Sequence, residues 1–392
     1  MRLLVAVILI AAQGAQAADA PAPVISATRW LLDGQPIAEL RLRDESVSDD
    51  AFARTADALT LRTRLGWKTA SWNGWSALLE GEDLRSLTDH YNSTRNGRTT
   101  YPVVSDPEGA ELNRASISYA TKTFEATVGR QRIQRDNERH FGASGWRQRE
   151  QTFDAVGFSC SPDERTKLRY SWVDGVRRVN GTRVDLDAHL LNASRKLPVG
   201  EGVAYAYLIR NQDTPTASTR TLGARWLGDR AIAKTVKFSW ALEYADQHPY
   251  QGGAAVNSAD YWFAEAALSS RGHTLKAGSE RLGGSGQFGF TTPYATLHAF
   301  DGWDDKFLTT PRDGLRDWYI AVNGPLARTK YVLAVHRFEA DHGSAHYGNE
   351  LDASVSLPFA RHYTALAKWA RYDADRFAAD TNKLWISIEA RL

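Results

Sequence analysis

In Leu59-Thr60-Leu61-Arg62-Thr63-Arg64-Leu65-Gly66-Trp67 the side chains sort by parity. Leu59, Leu61, Thr63, Leu65 and Trp67 share one face of an extended chain, and Thr60, Arg62, Arg64 and Gly66 share the other, because strand side chains alternate with a period of two. The same grammar recurs. Val236, Phe238, Trp240, Leu242 and Tyr244 alternate with Lys237, Ser239, Ala241 and Glu243. Leu351, Ala353, Val355 and Leu357 alternate with Glu350, Asp352, Ser354 and Ser356. At the C-terminus Leu384, Ile386, Ile388, Ala390 and Leu392 alternate with Trp385, Ser387, Glu389 and Arg391. Each such strand has one face for an apolar medium and one for water. A soluble sandwich alternates too, but its strands are mostly five or six residues long. Tilted membrane strands need about 9–11, and the segments here have that length.

Eighteen candidate strands follow one another from 37–47 to 382–392, with sixteen as the alternative count. Their connections alternate in length. Those after even strands are short, as at Thr121 to Thr123, Ser269 to Gly272 and Pro358 to His362; those after odd strands are long, as at Asp83 to Ala110, Ile133 to Gln151 and Gly283 to Gly314. Short periplasmic turns, long outer loops and an even strand number are the habit of bacterial outer-membrane barrels. The expectation is therefore an all-β, antiparallel up-and-down transmembrane barrel in the outer membrane of a Gram-negative cell, both termini periplasmic.

The chain's 392 residues, 43% hydrophobic and 24% charged, exclude a disordered or collagenous protein. A net charge of +2 gives no bias toward nucleic acid. The single cysteine, Cys160, excludes an internal disulfide framework and a cysteine-based zinc site. Met1-Arg2, the apolar run Leu3 to Ala12 and the small-x-small Ala15-Gln16-Ala17 read as a secretory signal peptide over 1–17. A single barrel domain is then expected over 18–392.

Two blocks carry a resemblance. The first is Val128-Gly129-Arg130-Gln131-Arg132-Ile133, then Arg139-His140-Phe141-Gly142, Trp146-Arg147 and Thr152-Phe153-Asp154-Ala155-Val156. The second runs from Phe288 through Thr292-Pro293-Tyr294-Ala295-Thr296-Leu297-His298 to Phe300-Asp301-Gly302-Trp303-Asp304-Asp305-Lys306-Phe307, with Thr310-Pro311 and Gly314 to Tyr319 after it. Together they resemble the alginate-export family of outer-membrane proteins; Ala155 stands where the family's FDG-like step has glycine. The resemblance implies eighteen strands and diffusion of an anionic polysaccharide through a basic lumen.

On the polar face Arg41, Arg43, Arg62, Arg64, Arg114, Arg130, Arg169, Lys237 and Lys276 are expected to line the pore and bind anions, as rings of basic side chains do. Guanidinium forks suit the carboxylate of a uronate sugar. Glu80, Glu82, Asp185, Asp187, Glu243, Glu280, Glu350 and Asp352 are expected to face them. The other reading is that these charges pair with one another and only hydrate the wall. The aromatic loop after strand thirteen, with Phe290, Tyr294, His298, Trp303, Asp304 and Lys306, reads either as a constriction folded into the pore or as an outer cap. Its acids Asp301, Asp304 and Asp305 are the candidates for calcium in an outer loop; no other cofactor or metal is expected. His342 and His346 sit four apart but in a turn between strands, and no serine, histidine and acid spacing marks a nucleophile. No catalytic residue is assigned. The expected function is passive passage of acidic oligo- or polysaccharides, with outer-membrane lipid and lipopolysaccharide as surroundings and no nucleic-acid partner. A barrel enzyme (a lipase or polysaccharide lyase) and a non-conducting structural barrel are the alternatives.

Overall fold

The computed structural model describes residues 27–392; the signal-peptide reading of 1–17 lies outside them. A short helix, α1 (Ala27–Leu32), leads into eighteen strands. They are β1 (Gln35–Asp49), β2 (Ala56–Lys68), β3 (Trp75–Ser86), β4 (Gly109–Ala120), β5 (Phe124–Gln131), β6 (Thr152–Asp163), β7 (Thr166–Arg177), β8 (Arg183–Lys196) and β9 (Glu201–Asn211). The second half continues with β10 (Thr219–Ala233), β11 (Val236–Pro249), β12 (Ala259–Ser270), β13 (His273–Leu282), β14 (Leu315–Leu326), β15 (Thr329–Glu339), β16 (His346–Phe359), β17 (Tyr363–Ala374) and β18 (Thr381–Arg391). Each pairs antiparallel with its sequence neighbours, and β1 pairs with both β2 and β18, so the eighteen-stranded sheet closes. Closure satisfies every strand edge, which a lipid environment requires. No described helix is long and apolar enough to cross a membrane; a barrel crosses with strands.

The register follows the alternation. Leu42 of β1 lies opposite Leu61 of β2 and Ile388 of β18, while Arg41 lies opposite Arg62 and Glu389. A one-residue slip would turn each apolar row to the other side. The burial pattern is inverted relative to a soluble protein. Leu65 is 62% exposed and Ile320 54%, whereas Arg62 and Asp352 are 0% exposed. The large exposed hydrophobics are the outward face, and the packed interior is polar and aromatic. Within it Phe141, Phe153, Tyr207, Tyr261, Phe290 and Phe338 form part of one buried cluster. Two lumen tyrosines use strand glycines as seats. A Cβ at Gly278 would meet the Tyr319 ring at 2.4 Å, so the ring lies flat on the neighbouring strand only because that position has no side chain.

The connections after even strands stay short, 69–74 being the longest and 164–165 among the shortest. Those after odd strands include 87–108, 132–151 and 283–314. These three long connections gather at one end of the barrel and furnish what lies inside it.

Candidate functional site: the charged lumen and its two inward loops

Loops 132–151 and 283–314 fold into the barrel and join each other there. Gly142 N donates to the Tyr294 carbonyl at 2.9 Å and Thr296 N to the Glu138 carbonyl at 3.0 Å. Gln151 Nε2 reaches the same Tyr294 carbonyl at 2.9 Å. Buried backbone of this kind needs such partners. From that seam loop 283–314 spans to β1, where Lys306 pairs with Asp49 at 2.8 Å, and to β16, where Asp304 N donates to Glu350 at 2.7 Å. The aromatic loop is therefore a lumen element. Phe290 (0% exposed) and Tyr294 (3%) are core residues, stacked on Tyr261 and Phe141.

Where the loops meet the wall, a lysine is caged by tryptophans. Lys368 of β17 lies over Trp303 and Trp146 at 3.6 and 4.1 Å from their ring centres and donates to His298 Nε2 at 2.6 Å. His298 Nδ1 contacts Asp305 at 2.7 Å, and its ring stacks on Trp146 at 4.6 Å. Burial pushes His298 down to about 3, so the imidazole is neutral, donating through Nδ1 and accepting through Nε2. Asp305 is held well below the usual carboxylate range: burial opposes ionisation, but His298, Lys383 and Arg147 outweigh it. Arg147 Nη2 and Lys383 Nζ stand 2.8 and 3.1 Å from it.

The arginines of β1 and β2 reach the interior ion-paired with carboxylates, although Arg43 Nε, Arg62 Nε and Arg64 Nη2 have no partner. Arg41 binds Glu389 at 3.0 Å and the Trp146 carbonyl at 3.1 Å. Arg43 pairs with Asp106 of loop 87–108 and donates to the Trp146 carbonyl at 2.8 Å. Arg62 contacts Glu39 at 3.1 Å, and Arg64 pairs with Glu82 and with Glu150 at 3.4 Å. Arg114 makes a bidentate pair with Glu80. Most of these acids stand on loops or on neighbouring strands, where alternation alone cannot reveal which arginine they meet. A polar cavity of about 300 Å³ remains beside them, lined by Glu39, Arg41, Arg64, Arg132, Glu138 and Glu150.

Lys237 and Lys276 are also lumen-facing and paired, with Asp229 at 3.4 Å and Glu265 at 2.9 Å. Two expected placements differ. Arg130 shares the face of the exposed Val128, pairs with Asp154 at 2.8 Å and so stands outside the pore. Asp185 and Asp187 share the face of Leu191, not that of the buried Leu186, Ala188 and Leu190; Asp187 accepts from Trp172 at 3.0 Å. The parity of each strand dictates these placements. Asp301, Asp304 and Asp305 diverge, to Arg139 at 2.8 Å, to the Glu350 contact and to the His298 knot. Among the described residues no three histidine, cysteine or acidic side chains are arranged to hold a metal ion.

A different set of guanidinium groups has no carboxylate closer than 3.5 Å. Arg169 of β7 donates to Asn192 Oδ1 at 3.2 Å. Arg135 of loop 132–151 donates to Ser171 Oγ at 2.7 Å, and its Nε is without a partner. Arg225 of β10 has Glu243 at 3.5 Å, with Nε and Nη1 unpartnered; nearby Tyr207 Oη is likewise unpartnered and buried. Arg135 is a loop residue whose position no strand pattern reveals.

The family model for alginate export matches residues 37–283, more than half of the chain. The chain belongs to the alginate export family. The family is one of outer-membrane channels, and the solved structures that this family member resembles agree in fold. OpdL of Pseudomonas aeruginosa superposes with a TM-score of 0.71 at 15% identity, over 92% of this chain and 99% of that one. OccAB3 of Acinetobacter baumannii gives 0.69 at 14% identity, over 91% and 99%. OpdK of P. aeruginosa, solved with vanillate, gives 0.70 at 13% identity, over 93% and 99%. At these identities the likeness establishes the fold, a closed barrel of the outer-membrane porin type. No curated protein matches the chain.

Proposed function

We propose that this family member is a passive channel for anionic solutes, acidic oligo- or polysaccharides such as alginate among them, with both termini in the periplasm and no turnover chemistry. The observation that carries the reading is the group Arg135, Arg169 and Arg225, whose donors are left without carboxylate partners close enough to satisfy them. Guanidinium groups in a water-poor passage attract carboxylates and offer them paired hydrogen bonds. The ion-paired Arg41, Arg43, Arg62 and Arg64 form the rigid wall against which loop 132–151 packs. The neighbour OpdK was solved with vanillate, itself a carboxylate, which is compatible with this chemistry in the same fold.

Liposome swelling with alginate oligomers against neutral sugars of equal size tests the reading, together with potassium and chloride reversal potentials in planar bilayers. Preference for chloride and for the uronate oligomers is expected. Equal permeability to both ions, unchanged by Arg169→Ala and Arg225→Ala, would refute the anionic assignment.

A further inference from the structure

Loop 283–314 rests on β16 through three acids to which no cation donates a hydrogen bond. Asp304 (2% exposed), Glu350 (3%) and Asp352 (0%) are all buried. Glu350 Oε1 accepts the Asp304 N–H at 2.7 Å. A Cβ at Gly302 would meet Glu350 Oε2 at 2.4 Å, so the loop backbone lies directly on this carboxyl group. Glu350 and Asp352 stand two apart on the same face of β16. Yet both Oδ atoms of Asp304, both of Asp352 and Oε2 of Glu350 have no donor.

The surrounding basic groups hydrogen-bond or ion-pair elsewhere, while Lys368 faces Asp352 and Glu350, and Lys383 and Lys306 face Asp304, at longer range. Lys368 donates to His298, and Lys383 and Arg147 hold Asp305. Lys306 holds Asp49 of β1, Arg147 also holds Glu45, and Arg139 bridges Glu280 and Asp301. His336 of β15 is the nearest cation, its Nε2 3.7 Å from Asp352, but its Nδ1 is already on Asp317 at 2.9 Å. Three carboxylates in a buried pocket, with one shared histidine and lysines that face them only beyond contact, do not all ionise together. A proton between two such groups supplies the missing donor.

We propose that loop 283–314 is a proton-held strap: it stays folded across the lumen while Asp304, Glu350 and Asp352 share protons, and it lifts as they ionise. The geometry is supported by the titration of the one member outside the strands. Asp304 is pushed up to about 8, by burial first and by Glu350 second. In a lifted, hydrated loop the same carboxyl returns to its ordinary range near 4. A group with the higher value in the closed state favours closure most below about 4, and that preference is lost as pH rises through about 8. Each such group lowers the closed-to-open ratio by up to about tenfold per pH unit across that window.

The strap does not depend on which solute passes, so it is tested on the loop itself. A nitroxide at Leu308→Cys (Leu308 is 41% exposed) in a Cys160→Ser background reports loop mobility, and single-channel recordings report opening. Between pH 5 and pH 8 the mobile fraction and the open fraction are expected to rise together by tenfold or more. Asp304→Asn, and independently Glu350→Gln, supplies a permanent donor and is expected to keep the loop immobile at pH 8. Identical mobility at both pH values would overturn the strap, whatever the channel's ion preference. So would a loop closed at pH 8 by calcium and released by chelator, because the cluster would then be held by a cation.

Discussion

The Lys368 ammonium sits 3.6 Å from the centre of the Trp303 ring, with His298 Nε2 2.6 Å away. One wall residue thereby holds a tryptophan and a histidine of loop 283–314 and, through Trp146, the tip of loop 132–151. A desolvated cation over an aromatic face contributes about 2 kcal/mol. Lys368→Met keeps much of the stem and removes the charge and the donor. It is expected to leave the barrel folded, free both loops and raise open-channel current noise in planar bilayers; unchanged noise and unchanged tryptophan emission would count against the cage.

The arginines with close carboxylates and those without are expected to behave oppositely. Arg62 is 0% exposed and its charge is met by Glu39. Arg62→Ala removes the charge that meets Glu39 and Glu389 and leaves Glu39 only the more distant Arg64 at 3.7 Å; breaking a buried pair costs about 3–5 kcal/mol. The expected result is a lower unfolding midpoint in denaturant with ion selectivity little changed. Arg169→Ala removes a group whose described partner is an amide, so selectivity should fall while the midpoint holds. Reversed outcomes would return the anion-binding role to the β1 and β2 arginines.

The His298 knot is expected to withstand mild acid. Asp305 is depressed below its ordinary value, so the stability it lends is present above about 4 and disappears only as pH falls through its lower native value. His298 is pushed down to about 3 and stays an acceptor for Lys368 until then. Tryptophan emission from Trp146, Trp303 and Trp385 should therefore be flat from pH 5 to pH 4, where loop 283–314 is closed, and shift below it. Protonation of His298 would set two cations 2.6 Å apart. A midpoint near 6 that persists in Asp304→Asn, where the loop stays closed, would show that the imidazole is not buried as described.

The barrel was legible because its signal is local and repeated. Leu59 to Trp67 already separates a lipid face from a charged face, and β2 spans Ala56–Lys68 as that alternation requires. The contrast between Thr121 to Thr123 and Gly283 to Gly314 likewise anticipates the strand order. The interior was less legible, because its partners come from loops. Nothing in the spacing of Arg43 announces Asp106, and nothing in that of Arg64 announces Glu150. The block from Phe288 to Phe307 named the right loop. Whether it capped or entered the pore depended on Lys368, Glu350 and Asp49, three residues from three strands. Arg130 is a basic residue of a strand, but its parity with the exposed Val128 places it outside the pore.

The outward face provides the last expectation. Ile320 lies midway along β14, is 54% exposed, and stands between Ala277 and Val335 on the adjacent strands. In water such a residue tolerates arginine with little effect. In a bilayer, arginine near the midplane of a barrel's lipid face costs about 2–4 kcal/mol, and the cost falls toward the interfaces. Ile320→Arg should therefore lower the unfolding free energy in lipid vesicles by that amount. Leu326→Arg, at the end of the same strand, should cost roughly 0–1 kcal/mol. Equal effects at both positions would mean that this wall does not face hydrocarbon, and the difference between them reads membrane depth directly from one strand.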